Sequence, residues 1–193
     1  MARWEPNARE RLERAALDLF ARNGFAATTV PQIAEHAGLT TRTFYRHFAD
    51  KREVLFGDED VMVRRVEALV AEGIAGRTPL DFVEFALVRV AEEVFADRFD
   101  QLRAMRPVVE DDPGLQEREL RKRLVMTSAL AEALRRNGYD ADEADVVANL
   151  ATTALGLALR RWLAADPPGP LVDHVRTVMA AVRAVTRLPA PEA

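Results

Sequence analysis

Between Thr40 and Arg52 the chain carries Arg42, Arg46, Lys51 and Arg52 against a single acid, Asp50, with His47 among them. That is chemistry for holding a polyanion. Guanidinium and ammonium groups bind phosphate, and a planar guanidinium also matches the guanine O6/N7 edge with two bonds. Other chemistries are thinly supplied. The sequence has no cysteine, which removes thiol nucleophiles, disulfides and thiolate-ligated zinc or iron–sulfur sites. Its three histidines, His36, His47 and His174, argue against a multi-histidine metal centre. Residues 56–193 show no nucleophile–base pair, no metal-ligand spacing and no glycine-rich phosphate loop. The acidic pairs Glu92-Glu93 and Asp111-Asp112 are adjacent, so their carboxylates point to different sides of a helix and read as solvated charge or caps. No catalytic residue, metal or cofactor is expected.

The charge is unevenly spread. Residues 1–56 hold nine Lys/Arg against seven Asp/Glu, and residues 57–193 hold eighteen against twenty-four, for a net −4. A pI near 5.5 argues against indiscriminate coating of nucleic acid, but leaves room for a small basic patch. With 49% hydrophobic and 30% charged residues the chain has the composition of a folded protein with a sizeable core. The amino-terminal MARWEPNARERLERA has no apolar core behind its charges. The longest uncharged stretch, Val146 to Leu159, has 14 residues, too few to span a bilayer. The expectation is a cytoplasmic protein with no membrane segment.

The elements that must position these side chains are helices throughout, since no segment alternates with a period of two. A first helix runs from about Asn7 to Asn23 and ends on Gly24 and Phe25, a cap with its hydrophobic contact. Thr29 with Gln32 forms a capping box, and Pro31 sits in the first turn of a short second helix stopped by Gly38. Thr40 caps a third helix to about Phe48, and Asp50 caps a fourth from Lys51. Further helices follow from Pro79 to Ala96, Asp97 to Glu110, Pro113 to Asn137, Asp140 to Asp166 and Pro170 to Thr186. Residues 188–193 read as a frayed tail. The count is about nine.

At about 100° per residue, Phe44 and Phe48 share the apolar side of the third helix. Arg42 and Arg46 face the opposite way, flanked by Thr43 and Tyr45. Two short helices around a glycine turn, with a basic outer face, make a helix-turn-helix. A solvated helix surface has the same pattern, and spacing alone leaves both readings standing.

The run from Thr28 to Leu55, TTVPQIAEHAGLTTRTFYRHFADKREVL, resembles the amino-terminal signature of the TetR family of transcriptional regulators, and the Leu-Phe-Ala-Arg-Asn-Gly-Phe ending of the first helix resembles that family's helix 1. The resemblance implies that Thr29 meets a phosphate at the second helix's start. It places Thr40, Thr41, Arg42, Thr43 and Tyr45 on the DNA-facing part of the recognition helix. Thr41 and Arg42 are then the candidates for base edges, with Thr43 and Tyr45 on the backbone. Arg46 joins them by its place on the outer face. Lys51 matches a lysine that pairs with phosphate, and His47 stands at the family's usual histidine position, in packing or phosphate contact. The second helix departs from members with a basic residue near its start: here stand Pro31 and Gln32.

Farther along, Phe82, Phe85, Phe95, Phe99, Met105 and Met126 gather in sequence. They fill a core between helices, or they line a concave apolar pocket. A TetR-like chain places an effector pocket in this part, which makes Phe82, Phe85, Phe99, Met105 and Met126 its candidate lining, with Arg89, Arg103 and Arg106 available to an anionic group. Residues 105–115, MRPVVEDDPGL, together with Trp162, resemble regulators of the mycofactocin-associated type, implying a lipid-like or acyl-CoA effector. The last two helices carry Leu150, Ala154, Leu157 and Trp162, then Leu171, Val175, Val178, Met179, Val182 and Val185, with small residues between. These bury within one subunit, or, as the resemblance implies, form a four-helix bundle with a two-fold mate. A C2 dimer would set two recognition helices about 34–36 Å apart for a pseudo-palindromic operator on double-stranded DNA.

The expectation is therefore an all-α chain with a helix-turn-helix DNA-binding domain at 1–50 and a helical effector-binding and dimerisation domain at 51–193. Its function would be that of a ligand-responsive repressor. The rival is a helical ligand-binding or scaffolding protein whose helix-turn-helix does not read DNA.

Overall fold

The computed structural model describes residues 8–56 and 59–186, with the side chains of 59–62 outside the description. Ten helices stand among the described residues: α1 Ala8–Asn23, α2 Val30–His36, α3 Thr41–His47, α4 Glu53–Phe56, α5 Glu59–Gly73, α6 Pro79–Val94, α7 Phe99–Glu110, α8 Pro113–Arg136, α9 Ala141–Ala164 and α10 Leu171–Thr186. Of the helix expected from Lys51, the described residues show α4 and α5, on either side of residues 57–58, which lie outside the description. The tail expected at 188–193 lies outside the described residues.

The local signals set the ends. Gly24 takes a left-handed φ of +79°, its N–H bonds the Phe20 carbonyl at 2.9 Å, and the Phe25 ring lies 5.1 Å from that of Phe20. Asp50 accepts from the N–H groups of Arg52 and Glu53, so α4 starts at Glu53 rather than at Lys51. Thr78, Asp112 and Asp140 cap α6, α8 and α9 in the same way.

The helices form two compact units. One holds α1–α4, α7 from Asp100 and the front of α8 through Lys122. Its core gathers Leu12, Ala16 and Phe20 of α1, Ile33 of α2, Phe44 of α3, Phe48, and Val54, Leu55 and Phe56 of α4. Val108, Val109 and Leu115 join the same cluster. This compact unit therefore takes in more chain than the stretch 1–50 expected to read DNA. The other unit holds α5 from Asp60, α6, α8 from Arg123, α9 and α10. There α6, α9 and α10 pack on one another over Phe82, Val83, Ala148, Ala154, Ala158, Val175 and Met179. Arg183 of α10 reaches both Asp81 and Glu84 of α6 at 2.8 Å. A Cβ at Gly73 would come within 2.4 Å of the Phe85 ring, so α5 meets α6 there only because the residue is glycine.

Candidate nucleic-acid interface

The third helix, α3, is seated by two rings and leaves its other face open. Phe44 is wholly buried and Phe48 nearly so, with ring centroids 5.4 Å apart. One residue on, Tyr45 is 60% exposed and meets Phe44 edge-on. Thr41, Arg42 and Arg46 are exposed beside it, as the helical period predicts. Among the described residues neither arginine has an ion-pair partner, so both guanidinium groups keep their donors.

The threonines do a different job from the arginines. The Thr40 hydroxyl oxygen accepts the Thr43 N–H at 3.1 Å and lies 3.0 Å from the Thr43 hydroxyl, so these two close the start of α3. Thr29 donates its hydroxyl to Gln32 Oε1 at 2.9 Å, and its N–H goes to the same oxygen at 2.8 Å. Gln32 is therefore occupied in a capping box rather than extended outward. Between α2 and α3 the chain turns at Gly38, where φ is +64°, a conformation that favours glycine. Arg11 of α1 pins this turn from behind by donating to the Ala37 carbonyl at 2.6 Å. His36 of α2 and Asp18 of α1 lie 2.8 Å apart. Composition and spacing single out neither Arg11 nor Asp18, because their partners lie 18 to 26 residues away on another helix.

Lys51 is placed inward. Its Nζ donates to the carbonyls of Phe25 at 2.5 Å and Thr28 at 2.7 Å, and stands 4.1 Å from the centre of the Phe25 ring. Two of its three N–H donors are thereby spent within the protein. His47 is also turned in, and its Nε2 is buried without a hydrogen-bond partner among the described residues. Burial first, then the positive charges of Arg46 and Arg9, hold its pKa below the usual 6.5. The folded protein thus keeps His47 neutral where the unfolded chain takes up a proton, and stability falls as pH drops through about 6.5. His47→Gln should flatten that acid limb. Thermal midpoints of both proteins from pH 8 to pH 5 check it, and parallel curves would count against it.

The side chains expected around an effector are spread over both units. Met105 packs on the core that carries the helix-turn-helix, in the first unit, because α7 from Asp100 belongs there. Phe82, Phe85, Phe99 and Met126 belong to the second. Of these, Phe82 and Phe85 meet at Gly73, Arg77 stacks 4.2 Å over Phe85, and Phe99 meets Trp162 edge-on at 5.0 Å. Trp162 is buried and donates its indole N–H to the Gly169 carbonyl. Arg89 is engaged by Glu93, with Glu72 nearby, and Arg106 by Glu110 and Glu119. Among the described residues no cluster of His, Asp or Glu is fit to hold a metal ion, and no helix is long and apolar enough to cross a membrane.

Residues 13–56, which hold the helix-turn-helix and its core, match the family of bacterial regulatory proteins named for tetR. Residues 13–56 thus form a TetR-family amino-terminal domain. Among the chain's relatives, TcmR, an HTH-type transcriptional regulator of Streptomyces glaucescens, is 35% identical over 141 residues, 70% of this chain and 62% of TcmR. The match thus spans about three-fifths of that relative's length. MftR of Mycobacterium tuberculosis, a mycofactocin biosynthesis regulator, is 26% identical over 77% of this chain and 76% of its own. Among solved structures, Thermus thermophilus FadR, a TetR-family transcriptional repressor in complex with lauroyl-CoA, superposes with a TM-score of 0.56 at 25% identity. That superposition covers 96% of this chain and 98% of FadR. The TetR family comprises regulators, not enzymes.

Proposed function

We propose that this chain is a ligand-responsive TetR-family transcriptional repressor that binds a pseudo-palindromic operator as a homodimer. The observation that carries the reading is the outward face of α3. Arg42, Arg46, Tyr45 and Thr41 stand exposed and uncommitted on a short helix whose other face is locked in the core. Arg42 takes a guanine edge and Thr41 a neighbouring base. Arg46, Tyr45, Thr43 and the capped starts at Thr29 and Thr40 hold the sugar–phosphate backbone. Arg42→Ala should weaken binding to the preferred duplex by about 1–3 kcal/mol and relax selection at one base pair. Titrating parent and variant against single-base operator variants checks this; an undiminished preference at every position would remove Arg42 from base reading.

The second unit then serves as effector and dimerisation domain. FadR's lauroyl-CoA supports an acyl-CoA or other lipid-like effector. Exposed Val146 on α9 and Val185 on α10 support a partner copy along those helices. The effector binds the conformation with the lower operator affinity and so releases DNA.

The test is selection of bound duplexes from a random double-stranded pool, then titration of the recovered sequence with salt and with lauroyl-CoA. A pseudo-palindrome bound with steep salt dependence and released by lauroyl-CoA supports the whole reading. Weak, sequence-blind binding would leave a helical ligand-binding protein that does not read DNA.

A further inference from the structure

The helix α4 is gripped at two points by one neighbour. Arg118 of α8 donates to Oε1 of Glu53, the first residue of α4, at 2.6 Å, and the two side chains are only 19% and 20% exposed. Lys122, one turn farther along α8, donates through Nζ to the carbonyl of Phe56, three residues on in α4. An acid at the start of α4 also suits the helix dipole. The grip continues toward the reading helices. Lys51, two residues before α4, bonds the carbonyls of Phe25 and Thr28, and Thr29 next in line caps α2. Charged contacts therefore run from α8 through α4 to the start of the helix-turn-helix, within one compact unit.

We propose that Arg118 and Lys122 are positioning residues for DNA reading, a two-point clamp by which α8 sets the pose of α4 and, through Lys51, of α2 and α3. The clamp rests on the DNA-reading function proposed above, but its action is mechanical. Neither side chain has to touch a nucleotide. Because the Arg118–Glu53 pair is largely dry, removing Arg118 strands the Glu53 carboxylate and loosens α4.

The experiment uses the full chain and the duplex recovered by selection. Arg118→Gln, Glu53→Gln and Lys122→Met are compared with the charge-exchanged pair Glu53→Arg/Arg118→Glu. Each single variant should lose about 3- to 30-fold in affinity for the selected duplex. Affinity for a random duplex of equal length and the salt slope should both stay at the parent's values. The exchanged pair should recover most of the loss. Amide exchange at Leu55 and Phe56 should quicken in the single variants and slow again in the exchanged pair. Unchanged duplex affinity with unchanged exchange at α4 would overturn the clamp. An equal loss on both duplexes, with a shallower salt slope, would overturn it in favour of direct phosphate contact. If Arg118→Gln does not fold, Lys122→Met and the exchanged pair carry the same comparison. If the parent selects no duplex, the DNA reading fails by itself, and exchange at Leu55 and Phe56 still decides whether the clamp exists.

Discussion

Replacing Phe44 by alanine should lower the stability of the amino-terminal unit by about 3–5 kcal/mol and abolish selective duplex binding with it. Phe44 has no solvent exposure and belongs to a cluster shared by α1, α2, α3, α4, α7 and α8, and α3 packs on α1 and α2, so its removal opens a cavity in that shared core. The loss has two parts. Transfer of a phenyl ring out of water is forfeited, and the space left cannot close without shifting Ile33 or Phe48. Seven-residue helices such as α2 and α3 have little stability of their own, so their seat decides whether they exist. Tyr45→Ala, one residue along and exposed, should change stability by less than about 0.5 kcal/mol while still weakening DNA binding. Denaturant unfolding followed by circular dichroism, paired with duplex titration, separates the two. Full stability in Phe44→Ala would mean that α3 is held by something other than this core.

That contrast also explains what was legible beforehand. The inside and outside of α3 follow from the helical period alone, because Phe44 and Phe48 are large, apolar and four residues apart. The starts of α2, α3, α6 and α9 were readable because a cap is a local bond between residues three apart. The contacts that organise the amino-terminal unit are of another kind. Arg11 to Ala37, Gln101 to Glu13, Arg118 to Glu53 and Lys122 to Phe56 join residues 26 to 88 positions apart. No periodicity marks them, since each arginine or lysine looks like any other on a solvated face. Met105 stands near Phe99 in sequence, while the packing of α7 from Asp100 places it on the core of the first unit. The aromatic residues of α6 and α9 were recognisable as buried, but helix pattern cannot distinguish a ring that fills a core from one that lines a ligand.

Lys51 is where resemblance and geometry make different predictions, and Lys51→Met distinguishes them. A lysine that only pairs with phosphate would leave stability untouched when removed, weaken all duplexes alike and lower the salt slope by about one. The inward placement predicts otherwise. Two carbonyls lose a charged donor, and a charge-assisted bond of this kind contributes about 1.5–3 kcal/mol. Methionine keeps the apolar stem over the Phe25 ring, so the loss reports the ammonium rather than its packing. Lys51→Met should therefore cost about 2–3 kcal/mol of stability in denaturant unfolding. It should also reduce selective binding more than non-selective binding, because the segment leading into α2 is no longer tied to α4. The third N–H of Lys51 remains available to a phosphate, and a slope that falls along with stability would assign it both roles. Unchanged stability with a shallower slope would restore the simple phosphate contact, and would break the link between α4 and α2 on which the clamp by α8 depends.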